Sequence, residues 1–399
     1  MAIIQSTTLS NSIRTRYEAD YLKGVAAMRV YDMLSTPVGR DMVALARGSS
    51  VQVNYLGALA PATAAISETV DVTPVTMRDA TDSISPTSRI NAIQFAEKML
   101  LQAYTNLGAE RFEKVGENMT ESVDLLASAA ATQGGIVRRN GGTTRVLLDA
   151  GTAADNLSDA LFDESLTLME ALHSPEFPEE LGGGLAAIMH PYAYHDLRRG
   201  GNIVSIAQYQ NPGIILNREL GMYGSARIIS TPWAKAFWAT GAANGTAVQT
   251  TIDANANALA KTISVASATN ITVGDTFLLG TQETGNTHYP TNEYCTVTGV
   301  SGTTITIAAF GENGGLRYDH TSGQAVSNDD STFPVVFGGP KALVKVFDPT
   351  IGEFGTVVGP TKQGLAETFE SIAWKWYGNY GRFSETNLMR IEVSSSIEA

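Results

Sequence analysis

The stretch IMHPYAYHDLRRGG, from Ile188 to Gly201, gathers two histidines, two tyrosines, an aspartate and two arginines. Imidazole and carboxylate together can hold a metal ion or move a proton, and a guanidinium can hold an oxyanion. Geometry decides whether they do. The apolar run GLAAIM before it suits a buried strand, and Pro191 suits the first position of a following helix, where its missing N–H is not needed. His190, preceding that proline, is pushed to extended backbone, whereas His195 lies on the helix. Five residues of helix turn through about 140°, so the two imidazoles diverge where an i, i+4 pair would converge on one ion. Asp196 and Arg199 are spaced to pair on a solvated face, and Tyr192 and Tyr194 suit helix anchors as well as proton donors. Catalysis needs a nucleophile, an oriented base and an oxyanion or metal site together. The stretch is therefore read as a structural junction, and no catalytic residue, metal ligand or cofactor is expected.

The remaining motif searches point the same way. GGGLAA, Gly182 to Ala187, matches a loose GxGxxA pattern but precedes a strand, whereas a dinucleotide loop follows one and opens a helix. There is no GxxxxGK[ST], GxSxG, CxxC or EF-hand loop. His173, His288 and His320 stand singly among turn residues and read as surface or capping histidines. Cys295 is the single cysteine, which rules out an internal disulfide and a multi-cysteine zinc site.

The elements that would position these residues follow from composition and periodicity. The 399 residues, 43% hydrophobic and 17% charged, allow two or three globular domains. Twenty-seven basic against 40 acidic residues leave a net charge of −13, unlike a protein that neutralises nucleic-acid phosphates. No uncharged apolar run reaches 18 residues and the N-terminus turns polar by Gln5, so neither a membrane span nor a signal peptide is expected. Between Arg14 and Leu34, Tyr17, Tyr21, Val25, Met28 and Tyr31 fall at helical spacing; this is either a first core helix or an arm lying on a neighbouring subunit. Residues 50–84 alternate at Val51, Val53 and Tyr55, break at Pro61 and Pro74, and read as a long strand-loop-strand excursion. An excursion of that length tends to be functional or to reach a partner.

From Asn106 to Thr132, Phe112, Val115, Met119, Val123 and Leu126 form one apolar stripe of a helix of about seven turns. Glu110, Glu113, Lys114, Glu117 and Glu121 fall on its other faces. A second helix follows, with Asp155 as candidate N-cap and Leu157, Leu161, Leu168 and Leu172 as its apolar face. The glycine-rich turn between the helices holds one short strand around Val146. From Gly241 to Asp330 the composition shifts to Thr, Ala, Gly and Asn, with short alternating runs such as Thr262–Val265 and Thr304–Ile307. This reads as a small all-β module with two basic and eight acidic residues, and aromatic-rich strands follow it.

The order of these blocks resembles the tailed-bacteriophage major capsid proteins, and more narrowly the family named after the coat protein of phage N4, whose fold is that of the phage HK97 coat. The resemblance runs from about Arg47 to Glu392, apart from the β module. It rests on the excursion ALAPATAAISETVDVTPV, the long helix NLGAERFEKVGENMTESVDLLASAA, and the strand, His190–Pro191 turn and helix. To these it adds a strand with Gly224, Arg227, Ile229, Thr231 and Pro232, then FPVVFGGPKALVKV and the closing WKWYGNYGRFSETNLMRIEVSS.

The resemblance implies an α+β fold of HK97 type: an N-terminal arm (1–46), an extended β loop over the neighbouring subunit (47–95), a peripheral domain with the spine helix (96–180) and an axial domain (181–240). An inserted small all-β domain (241–332) and return strands (333–399) complete it. It also implies a non-enzymatic shell protein that self-assembles as hexamers and pentamers of an icosahedral capsid around double-stranded DNA, made in the host cytoplasm and located in the virion. Portal and scaffold proteins would be partners and a decoration protein a further candidate; contact with DNA would be loose and there would be no membrane partner. Tyr17, Tyr21, Val53, Tyr55 and Arg89 are the candidate inter-subunit contacts. Two features depart from the family pattern. Some ninety residues stand where a short connection is usual, and ISETV lacks the glycine expected after its acidic residue. The alternatives are an encapsulin-like nanocompartment shell and an enzyme carrying a carbohydrate-binding β module.

Overall fold

The structure is a computed structural model that describes residues 30–37, 50–57, 59, 61, 76–96, 98, 107–140, 144–145, 148, 151–178, 183–200, 204–205, 219–238, 249–282, 289–327, 331–353, 355–363 and 368–398. The chain divides into two compact units. One draws on Pro37–Met119 and Val344–Gly381, the other on Met28–Thr36, Thr120–Leu343 and Arg382–Ala399.

In the first unit, strands Val51–Leu56 and Asp79–Ile84 pair antiparallel, with Val53 opposite Asp82 and Tyr55 opposite Ala80. Val51 and Val53 are buried while Gln52 and Asn54 are exposed, the two-residue period of a half-buried strand. The second feature is the long strand Phe369–Arg382, which pairs with Thr87–Ala96 over ten residue pairs and also with Thr356–Gln363. Its alternate residues Ile372, Trp374, Trp376 and Tyr380 are buried. Helix α1, Leu107–Ala131, ends within a residue of each expected boundary, and its first half belongs to this unit. There Asn118 Oδ1 accepts hydrogen bonds from the Trp374 indole at 2.8 Å and from Asn91 at 2.9 Å. Arg111 pairs with Glu370 at 3.4 Å and lies over the Phe95 ring.

The second unit contains a mixed seven-stranded sheet in the order Val137–Arg138, Leu388–Val393, Phe333–Gly338, Leu185–Met189, Ala226–Ser230, Glu219–Tyr223 and Val204–Ser205. Leu185–Met189 is buried throughout, which is why it reads as an unbroken apolar run. Helices α2, Asp159–Ala171, and α3, Pro191–Gly200, add Phe162, Leu166, Met169, Ala193 and Leu197 to a core shared with Ala187, Ile228, Phe337 and Ile391.

One local expectation is corrected here and another falls outside the described residues. Ser158, not Asp155, caps α2: it stands directly before the first helical residue and its hydroxyl accepts the Leu161 N–H at 3.3 Å. Within the glycine-rich connection the described strand is Val137–Arg138, which gains a parallel partner in Leu388–Val393; Val146 lies outside the described residues.

A six-stranded antiparallel sheet lies between Gln249 and Ser327, with strand order Gln249–Thr251, Ala325–Ser327, Thr276–Gly280, Glu293–Ser301, Thr304–Ala309 and Thr262–Ser264. Its own core includes Ile263, Phe277, Leu279, Cys295, Val297, Ile305, Ile307 and Val326. Cys295 is buried, and burial holds its thiol well above the usual range.

The glycine run before Leu185 has a backbone reason. Gly183 and Gly184 have φ of 68° and 76°, and a Cβ on Gly184 would collide with the Ser225 carbonyl, whereas none on Gly183 meets anything within 4 Å. Gly183→Ala should therefore cost about 1–2 kcal/mol, the left-handed penalty alone. Gly184→Ala should cost more, because backbone must also move. Denaturant unfolding of the two variants checks the order.

Candidate functional site

The histidine stretch folds as the end of strand Leu185–Met189, the junction residue His190 and helix α3, and several of its polar groups are used internally while Arg198 and Arg199 are exposed. His190 is buried, with its ring stacked on Phe333 at 5.0 Å and edge-on to Tyr192 at 4.8 Å. Burial lowers its pKa to about 3, so it is a neutral ring in an aromatic cluster. Its Nδ1 accepts the Tyr192 N–H at 3.3 Å. His195 Nδ1 lies 3.2 Å from Asp196, and the Asp196 carboxylate accepts the Ser396 N–H at 3.0 Å and the Ser396 hydroxyl. Asp196 thus fastens the chain's last residues to α3, in place of the surface pair with Arg199 expected from spacing. Among the described residues no group of three or more His, Cys, Asp or Glu is placed to hold a metal ion.

The candidate contact residues are dispersed. Val53 is 7% exposed on the first strand of the two-stranded ribbon, and Tyr55 follows on that strand at a position whose backbone alone is described. Arg89 lies on Thr87–Ala96 opposite Trp376, and its Nη1 donates to the Gly378 carbonyl at 3.3 Å. Partial burial lowers its pKa from the ordinary arginine value. Tyr17 and Tyr21 lie outside the described residues.

Sequence reasoning missed a set of buried carboxylates in the second unit. Asp124 Oδ1 accepts the backbone N–H groups of Val30, Tyr31 and Asp32 at 3.0, 2.8 and 3.2 Å, anchoring a short 3-10 turn, Tyr31–Leu34. Burial drives its carboxyl up to about 7 against those three donors. Glu392, fully buried, meets Arg139 Nε at 2.7 Å, Arg145 Nη2 at 2.5 Å and Arg390 Nε at 2.8 Å. Burial alone would raise its pKa, but the arginines, Arg145 foremost, bring it below the ordinary carboxylate value.

Glu121, which falls off the apolar stripe of α1, is buried and meets Arg317 Nη2 at 2.8 Å, while the Arg317 guanidinium lies 4.4 Å from the Trp233 ring centroid. His320, read as a surface or capping histidine, is in the core. Both of its ring nitrogens face oxygens at 2.8 Å, Glu293 Oε1 and Gln324 Oε1, and Glu293 further accepts the N–H groups of Arg317 and Tyr318. One signal was present: Arg390 and Glu392 are two apart in a strand and share a face. Nothing in the sequence marked the partners of Asp124, Glu121 or Glu293.

No family model and no curated protein matches the chain. Solved structures do. The chain is similar to the capsid of Ralstonia phage GP4, with 12% identity, 94% of this chain and 91% of that one covered, and a TM-score of 0.55. The fold is one found in phage capsids. The capsid structure of cyanophage P-SCSP1u matches at 11% identity, with 93% and 90% of the chains covered and a TM-score of 0.51. The head structure of Helicobacter pylori bacteriophage KHP40 matches at 10%, with 93% and 92% covered and a TM-score of 0.50. The likeness runs almost the full length of each chain.

Two outcomes are expected. Because the Asp124 pKa in the fold, about 7, exceeds its ordinary value of 3.8, its contribution to stability is full below about 3.8 and is lost as pH rises through about 7. Melting temperatures of the native chain and Asp124→Asn across that window should therefore converge at acid pH and separate above neutrality, the neutral amide holding the turn at both. Glu392→Gln should cost about 3–5 kcal/mol at neutral pH, as when one partner of a buried ion pair is removed; denaturant unfolding reads it.

Proposed function

We propose that this chain is the major capsid protein of a tailed phage, assembling into the shell that encloses its double-stranded DNA genome. The observation that carries this reading is the near full-length fold likeness to phage capsid structures at TM-scores of 0.50 to 0.55. Family, finer architecture and partners are inferred from the sequence resemblance: an HK97-type fold of the N4 coat-protein group, with hexamers and pentamers closing an icosahedral particle. Portal and scaffold proteins belong to that assembly. The role is structural, with no catalysis, and its location is the virion.

Physical features of the chain suit this role. The two-stranded ribbon carries Leu56 at 73% exposure, with Leu59 and Met77 also exposed beside it, apolar surface that a neighbouring subunit would cover. We place the inter-subunit contacts on this ribbon around Val53 and Tyr55, on Arg89 of the adjoining strand, and on Tyr17 and Tyr21 of the arm. Repeated heterologous contacts of this kind close into rings and shells. A net charge of −13 suits a wall that does not grip packaged DNA.

Electron microscopy of the expressed chain should reveal closed shells on the order of hundreds of ångströms across. Leu56→Asp should leave a folded chain, with unchanged circular dichroism, that no longer closes shells. Small soluble particles from the native chain would defeat the reading, and shells from the phage that hold a cargo enzyme and no DNA would favour a nanocompartment.

A further inference from the structure

His320 is 1% exposed, enclosed between strand Glu293–Ser301 and the segment Arg317–Gln324 that carries it. Its Nε2 lies 2.8 Å from Glu293 Oε1 and its Nδ1 2.8 Å from Gln324 Oε1. An amide carbonyl has no hydrogen to give, and neither has an ionised carboxylate, so each of the two N···O gaps must contain a proton. A neutral imidazole supplies only one. The amide is oriented by a neighbour: Gln324 Oε1 also accepts the Thr321 N–H at 3.2 Å, and exchanging its oxygen and nitrogen would set two donors against each other. The carboxylate is fixed as well, accepting the Arg317 N–H at 3.0 and 3.2 Å on its two oxygens and the Tyr318 N–H at 3.2 Å. The site therefore stores one proton more than a neutral histidine and an ionised glutamate bring together.

Other ionisable groups reach this place from each neighbouring segment. Cys295, two residues along the strand from Glu293, is a buried thiol held well above its usual range. Arg317 turns its guanidinium to Glu121 on α1, and Asp319 accepts the Ala258 N–H at 2.7 Å. With the extra proton gone, the Nε2 lone pair and the Glu293 carboxylate would face each other at contact distance, a repulsion that side chains 0% and 3% exposed cannot relieve through water. Relief requires the segment Arg317–Gln324 to draw away from the strand.

We propose that His320 and Glu293 form a proton-operated latch, which closes the segment Arg317–Gln324 on strand Glu293–Ser301 and opens when the proton between them is lost. The segment also carries Arg317, so the latch governs the ion pair that ties this sheet to Glu121 of α1. Its contribution to stability is present on the acid side and is lost as pH rises through the titration of the ring. The latch lies within one chain and does not rest on the capsid reading.

Solid-state NMR of the full-length chain with isotope-labelled histidine reads the ring in soluble or assembled material alike, the His320 signals being those missing from His320→Gln. Both ring nitrogens should carry protons at about pH 5 and one should be bare at about pH 9. Amide hydrogen exchange across residues 317–324, corrected for the intrinsic effect of pH, should lose protection by roughly tenfold for each pH unit through that change. Glu293→Gln should hold the segment closed at both ends of the range, because its amide donates to the bare Nε2 without an added proton. A ring with one bare nitrogen throughout, as an exchanged Gln324 amide would give, would overturn the proposal, and so would a ring charged throughout, since neither switches. Protection that stays level while the ring titrates would do the same, as would a pH dependence in Glu293→Gln equal to that of the native chain.

Discussion

A carboxylate withdrawn from water must be met by enough donors to offset the hydration it loses, and the second unit is organised by that demand. Glu392 lies on strand Leu388–Val393, next to Phe333–Gly338 in the seven-stranded sheet, and draws in guanidiniums from positions 139, 145 and 390. The same Arg390 reaches the carbonyls of Thr132 and Gly134 at the end of α1. One buried charge therefore ties the sheet, the turn after the long helix and the connection that follows it, segments some 250 residues apart in the chain.

Glu121 and Glu293 repeat the solution with different donors, and Asp124 meets the demand only in part, since burial outweighs its three donors and holds its carboxyl up at about 7. Asp124 takes three backbone N–H groups from a segment more than ninety residues away. Glu121 takes a guanidinium from position 317, and Glu293 takes an imidazole and two backbone N–H groups. Such links are directional where apolar packing is not. They specify which turn meets which helix while the core supplies the bulk of the burial. The first unit relies on the other means: an aromatic-lined strand of fourteen residues, with Asn118 satisfying the Trp374 indole.

This division of labour agrees with a fold retained at 10 to 12% identity. Alternation of buried residues along strands and a stripe on a long helix can be kept with almost any set of apolar side chains, so the architecture outlasts the sequence. A charged centre such as that around Glu392 needs particular side chains at particular positions, which likeness of fold alone does not carry.

Periodicity along the chain was enough to reveal helix α1, the alternating strand at 51–56, the buried strand before His190 and the proline that opens α3. Each depends on neighbours within a few residues, so pattern alone determines it. The order of those blocks also carried the resemblance to capsid proteins. The cap of α2 was misplaced by three residues, because several polar residues precede the helix and only backbone geometry selects Ser158. Val137–Arg138 was missed because two residues become a strand only when Leu388–Val393 lies alongside. The burial of Glu121 and His320 was not legible, since sequence spacing reports which face a residue takes and not what covers that face. Burial of a charge is decided by partners brought from distant segments, and only the tertiary structure supplies them.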